Sequence, residues 1–134
     1  LARQHAERED ALMLECDGVL LCDTNALTTL VFAKAWHGGA LPGLEELADA
    51  CASRYDLTFA CADDFPYVST WDRSGEGDRR AMQRRTLSEL DARRIPHAIL
   101  RGDVVTRAAA VRRALQGFSK HGDAGAALAR AGAA

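Results

Sequence analysis

The sequence predicts an α/β fold built on a parallel sheet. Three observations carry that reading. Short apolar runs at residues 19–22, 55–62 and 95–100 have the length and composition of buried strands. Each is followed by a segment with helical spacing, and strands alternating with helices imply crossover units and a parallel sheet. Each run also ends in polar or acidic residues: Asp23-Thr24-Asn25, Asp63-Asp64 and Gly102-Asp103. In such sheets ligands bind outside the carboxyl ends of the strands, so these residues mark the candidate functional edge.

The elements follow in order. Residues 1–16 scatter Leu12, Met13 and Leu14 among charges in a helical pattern that Gly18 breaks. The run Val19-Leu20-Leu21-Cys22 reads as a strand. Thr24 or Asn25 can cap a helix over about 26–37, with Leu27, Leu30, Val31 and Ala35 on one side and Gly38-Gly39 as its stop. Pro42 opens another helix to about residue 54, whose inward stripe is Leu44, Leu47, Ala48 and Cys51. After the strand at 55–62 a polar loop spans 63–77. Asp78 can then start a helix to about residue 93, with Met82, Leu87 and Leu90 as its apolar positions. The strand at 95–100 ends at Arg101-Gly102, and Asp103 caps a last helix to about Phe118. Beyond it, residues 119–134 are rich in Ala and Gly with few large apolar side chains, which predicts a loose tail after a domain over 1–118.

Composition narrows the function classes. The 134 residues are 48% hydrophobic, enough to bury the core of one domain. Nineteen acidic against seventeen basic residues leave a net charge of −2, which offers no general cationic surface to nucleic acid or an anionic membrane. No apolar run approaches the length of a membrane span, and the charged first ten residues do not form a secretory signal, so a cytoplasmic location is expected. The four cysteines, Cys16, Cys22, Cys51 and Cys61, form no CxxC pair and read as buried thiols rather than a zinc or redox site. A chain that starts at Leu1 reads as a fragment or a processed product.

Two places carry chemistry. Asp23-Thr24 at a strand tip could hold Mg²⁺ through a carboxylate near phosphates, or Asp23 could simply begin the next helix. The second place is Thr70-Trp71-Asp72-Arg73-Ser74-Gly75-Glu76-Gly77-Asp78-Arg79-Arg80. Guanidinium groups match phosphate oxygens in fork geometry, a Gly-containing loop can close over a nucleotide, and Trp71 or Tyr67 could stack on a flat heterocycle. The plainer alternative is a solvated loop with ion pairs among Asp72, Arg73, Glu76 and Arg79. Arg107, in the helix after Gly102-Asp103, falls near the same edge, whereas Arg112 and Arg113 are expected to face solvent. A further alternative is the run Glu15-Cys16-Asp17-Gly18-Val19-Leu20, which resembles the first motif of haloacid-dehalogenase-type phosphatases. Glu15 there replaces the aspartate nucleophile, and the family's later lysine has no counterpart.

Taken together, Asp23-Thr24-Asn25 after its apolar run, Arg54-Tyr55-Asp56-Leu57-Thr58, Asp64-Phe65-Pro66-Tyr67, Thr70-Trp71-Asp72-Arg73, Arg93-Arg94-Ile95-Pro96 and Leu100-Arg101-Gly102-Asp103 resemble the C-terminal kinase domain of NadR-type proteins. The order and spacing agree to about Phe118. The resemblance implies a three-layer α/β P-loop NTPase fold and, in the parent enzyme, Mg²⁺- and ATP-dependent phosphorylation of a small nucleoside-like substrate, nicotinamide riboside in characterised relatives.

It further implies that Asp23 serves Mg²⁺ or the substrate hydroxyl and that Arg73 and Arg79 stabilise transferring charge from a lid. Thr24, Tyr67, Trp71, Asp72, Arg80 and Arg107 would then bind nucleotide or substrate. Trp71-Asp72 stands where relatives read Asp-Gly. No G-x-x-x-x-G-K-S/T loop occurs in the chain, and the family carries it on a strand upstream of the matched region. The expectation is therefore a partial domain, inactive in phosphoryl transfer by itself, whose unpaired strand edges invite self-association. A non-catalytic binding or interaction module derived from the same fold is the competing expectation.

Overall fold

The computed structural model describes residues 1–66, 76–119 and 122–133. The described elements run α1 (Ala2–Glu15), α2 (Ala26–His37), α3 (Pro42–Arg54), β1 (Thr58–Cys61), α4 (Glu76–Ala92), β2 (His97–Leu100), α5 (Val104–Leu115) and α6 (Ala124–Gly132). This is a helix-rich α/β chain with a small parallel sheet. It divides into two compact units, residues 1–54 and 55–134.

The first unit is α1 to α3. Asn25 caps α2, its Oδ1 accepting the N–H groups of Leu27 (3.0 Å) and Thr28 (3.3 Å). Those two donors would otherwise lie open at the helix start. At the other end Gly38 takes the left-handed conformation (φ 70°), which a residue without Cβ adopts at little cost. The spacing of Leu27, Leu30 and Val31 turns all three inward, and Leu30 and Val31 are the largest fully buried side chains described. They share the interior of the unit with Ala48 and Cys51 of α3. Helix α1 buries only Ala2 and leaves Leu12, Met13 and Leu14 exposed. Its tie to α3 is ionic: Arg54 donates to Glu9 Oε2 (2.8 Å), Asp10 Oδ1 (2.8 Å) and the Ala6 carbonyl (2.7 Å).

The apolar run at 19–22 is not a strand. Residues 16–25 are irregular, and Val19 and Leu21 are 60% and 76% exposed. A strand exists only through its hydrogen-bonded neighbours, and among the described residues β1 pairs with β2 alone. The cysteines differ from expectation as well. None is in a disulfide, but only Cys51 is buried, while Cys22 and Cys61 are exposed.

The second unit is built on the parallel pair β1 and β2, with Thr58 opposite His97, Phe59 opposite Ala98, Ala60 opposite Ile99 and Cys61 opposite Leu100. The ladder runs one bond further, from the Ala62 N–H to the Leu100 carbonyl (2.8 Å). Helix α4 is the crossover that a parallel pairing requires. Behind β2 the core is Leu100, Ala110, Ala114 and Ala131, with Leu57, Phe59, Ala98 and Val111 packed on it.

Residues 124–132, expected as part of a loose tail, form α6. Asp123 caps it, accepting the Ala126 N–H at 3.1 Å. Ala127, Leu128 and Ala131 are buried on one side. Alanine leaves little area to bury, but it also lets two helix backbones approach closely. At that approach Arg113 of α5 donates to the carbonyls of Arg130 and Ala131 (both 3.3 Å). Arg130 in turn donates to those of Arg113 (3.2 Å) and Ala114 (3.1 Å). Each arginine thus satisfies carbonyls near the end of the other helix, which such ends leave without partners. Arg112 is exposed as expected, whereas Arg113 is half-buried in this exchange.

Candidate functional site

The parallel register brings the carboxyl ends of β1 and β2 side by side, so Ala62-Asp63-Asp64-Phe65 runs next to Arg101-Gly102-Asp103. Gly102 makes the turn with φ 81°, a left-handed conformation that other residues rarely take, and a Cβ there would press on Thr106 at 3.3 Å. The turn aims the Gly102 N–H at Asp64 Oδ2, 2.8 Å away. Asp103 then caps α5, accepting the Thr106 N–H at 2.8 Å.

One turn into α5, Arg107 reaches back over both strand ends. Its Nε donates to the Gly102 carbonyl (2.7 Å), and its Nη2 donates to the Ala62 carbonyl (2.9 Å) and to Asp64 Oδ1. One guanidinium therefore joins the segment after β1 to the turn after β2. The hydrogen bond from Gly102 is the largest influence holding the Asp64 carboxyl below the usual carboxylate range, and the Arg107 charge adds to it. The hydrogen bond from Thr106 does the same for Asp103. Asp64 is an acceptor throughout, so at neutral pH it is a carboxylate committed to this junction.

Phe65 follows Asp64, and its ring lies under two guanidinium groups, with Arg79 Cζ at 5.0 Å and Arg107 Cζ at 5.2 Å from its centroid. Arg79 comes from the first turn of α4, and its Nη2 donates to the carbonyls of Asp63 and Phe65, both at 3.0 Å. The rim thus carries fixed cations beside a half-exposed ring, with Arg101, Val104 and Val105 exposed at the same edge. Fixed guanidinium groups at a sheet rim suit phosphate oxygens, which they meet without a large reorganisation.

Of the residues singled out from the sequence, the structure gathers Arg79 and Arg107 here. Arg80 is exposed on α4. Tyr67, Trp71, Asp72 and Arg73 lie outside the described residues. Asp23 and Thr24 belong to the first unit and sit in an exposed turn before the Asn25 cap rather than at a strand tip, because residues 19–22 form no strand. Thr24 takes φ 62°, unusual for a branched side chain, as the chain turns into α2.

Among the described residues no group of three His, Cys, Asp or Glu side chains is placed to hold a metal. Asp64 and Gly102, placed at the functional edge by the sequence, organise the rim together with Phe65, which sequence reasoning left without a role. The signal for Phe65 was positional: it lies in the segment just beyond the carboxyl end of β1.

A family model described as an AAA domain matches residues 1–107. No curated protein and no solved structure matches the chain.

Proposed function

The chain belongs to the AAA domain family, and from that premise we propose that the carboxyl rim of β1 and β2 faces a nucleotide in a P-loop NTPase of NadR-like kinase type. The observation that carries this reading is the Asp64–Gly102–Arg107 junction, which orders both strand ends at the edge where open α/β sheets bind ligands. In the complete three-layer domain, ATP would arrive with Mg²⁺, and its γ-phosphoryl would pass to the hydroxyl of a small nucleoside-like substrate. Asp23 would serve as a metal ligand or receive the substrate hydroxyl, with Thr24 beside it. Arg73 and Arg79 would stabilise the transferring charge, Arg80 and Arg107 would contribute to the phosphate field, and Tyr67, Trp71 and Asp72 would contact the nucleoside. Of this set, Arg79 and Arg107 have an observed geometry at the rim that suits the role.

The sequence has no G-x-x-x-x-G-K-S/T loop, whose backbone N–H groups and lysine supply most of the grip on a triphosphate. That favours a second reading in which this polypeptide binds nucleotide weakly and transfers no phosphate. Amide-detected NMR titration with ATP·Mg²⁺ separates the readings. The expected result is saturable shifts around Asp64, Gly102 and Asp103, with a dissociation constant on the order of a millimolar, and no phosphorylated product with a nucleoside acceptor. Absence of saturable shifts at the rim overturns nucleotide binding by this chain. Product formation overturns the need for the loop.

A further inference from the structure

Phe65 is 49% exposed, lies beyond the carboxyl end of β1, and is not among the side chains packed on the Leu100 cluster. What its ring does touch is charge: the Arg79 and Arg107 guanidiniums lie 5.0 and 5.2 Å from its centroid. These arginines come from different helices, α4 and α5, and no hydrogen bond between them is possible because both are donors only. The ring is a surface they share. Its negative face attracts both cations and takes water away from a face of each, while the Asp64 carboxylate on Arg107 offsets their mutual repulsion. Carbonyls of Ala62, Asp63, Phe65 and Gly102 fix the direction of each guanidinium. Nη1 of Arg107 is the edge left unengaged by these bonds.

We propose that Phe65 is a positioning residue that sets the anion affinity of the rim. Holding Arg79 and Arg107 in one orientation, it lets them meet the phosphate oxygens of a nucleoside polyphosphate without the ring touching the ligand. The inference rests on the nucleotide-binding reading above and adds a residue that acts through two others. Arginine side chains lose much rotamer freedom when they bind an anion, and a ring that, with those carbonyls, has already ordered them removes part of that cost from the binding step.

The test compares the full chain with Phe65→Leu, which keeps an apolar cover but no π face, and with Phe65→Tyr, which keeps the face. ATP·Mg²⁺ is titrated by NMR while the arginine Nε–Hε signals are followed. In the parent chain the Arg79 and Arg107 Hε signals are expected to be displaced by the ring current. Phe65→Leu should abolish that displacement and weaken ATP·Mg²⁺ binding about tenfold, the ordering cost of two arginine side chains returned to the binding step. Phe65→Tyr should restore binding to within about twofold of the parent, since tyrosine keeps the aromatic face. If Phe65→Leu does not fold, Phe65→Met is read in its place. Parent-like affinity in a folded Leu or Met variant overturns the role of Phe65 and leaves nucleotide binding standing, as does weak binding by Phe65→Tyr. No saturable binding by the parent chain removes both.

Discussion

Replacing Arg54 by Ala should free α1 from the first unit. Among its side chains α1 buries only Ala2, and its larger apolar residues Leu12, Met13 and Leu14 are exposed, so hydrophobic burial contributes little to its docking. Arg54 supplies three hydrogen bonds instead, to Glu9, Asp10 and the Ala6 carbonyl. Asp10 is 69% exposed and its pair is worth about 0–1 kcal/mol. Glu9 is 14% exposed and Arg54 26%, so that bond and the one to the Ala6 carbonyl act in partial shelter and together contribute about 2–3 kcal/mol. The hydrogen bond to Glu9 is the main reason the Arg54 guanidinium is held above its ordinary pKa, so that guanidinium stays charged through the neutral range. Hydrogen exchange with peptide-level mass spectrometry reads the effect. At about 1.4 kcal/mol per factor of ten, the combined loss of about 2–4 kcal/mol should make α1 amides in Arg54→Ala exchange roughly thirtyfold to several-hundredfold faster than in the parent, with β1 and β2 unaffected. Arg54→Lys, which lacks the fork but keeps the charge, should fall between them. Exchange of α1 within about twofold of the parent in Arg54→Ala would show that something other than this cluster holds the helix.

Other expectations concern the core, the last helix and acid. Ala114, fully buried between α5 and its neighbours, tolerates no growth: Ala114→Leu should cost about 1–3 kcal/mol in urea unfolding with little change in slope. Arg130→Ala deletes the donors that meet the Arg113 and Ala114 carbonyls, and α6 should lose protection by about 1–2 kcal/mol while α2 and α3 keep theirs. Leu30→Ala removes a completely buried side chain and should destabilise the first unit by about 2–5 kcal/mol. Asp64 and Asp103 have folded-state pKa values below those of the unfolded chain. Their contribution is therefore complete above the unfolded value near about 3.9 and disappears as pH falls through the folded values. An Asp64→Asn, Asp103→Asn double variant should show a shallower loss of melting temperature below about pH 4 than the parent, and an equal slope would contradict the assignment.

Local chemistry was legible from the residues. The glycine at Gly38, the proline at the start of α3 and the spacing of Leu27, Leu30 and Val31 located α2 and α3, since caps and helical periodicity act within a few positions of the chain. The placing of Asp63, Asp64, Gly102 and Asp103 at a strand edge was likewise readable, because a buried apolar run must stop where the chain returns to water. What the residues could not reveal depends on partners distant in sequence. Val19-Leu20-Leu21-Cys22 has strand composition but no described strand beside it, and a strand cannot satisfy its own backbone. The Ala/Gly-rich end looks too poor to bury, yet α6 packs through small residues and the reciprocal Arg113 and Arg130 bonds. Tertiary structure alone decided the use of Arg107 and Arg79 as well. A guanidinium pattern in sequence advertises affinity for anions, but the folded register put carbonyls, the Asp64 carboxylate and the Phe65 ring within reach first.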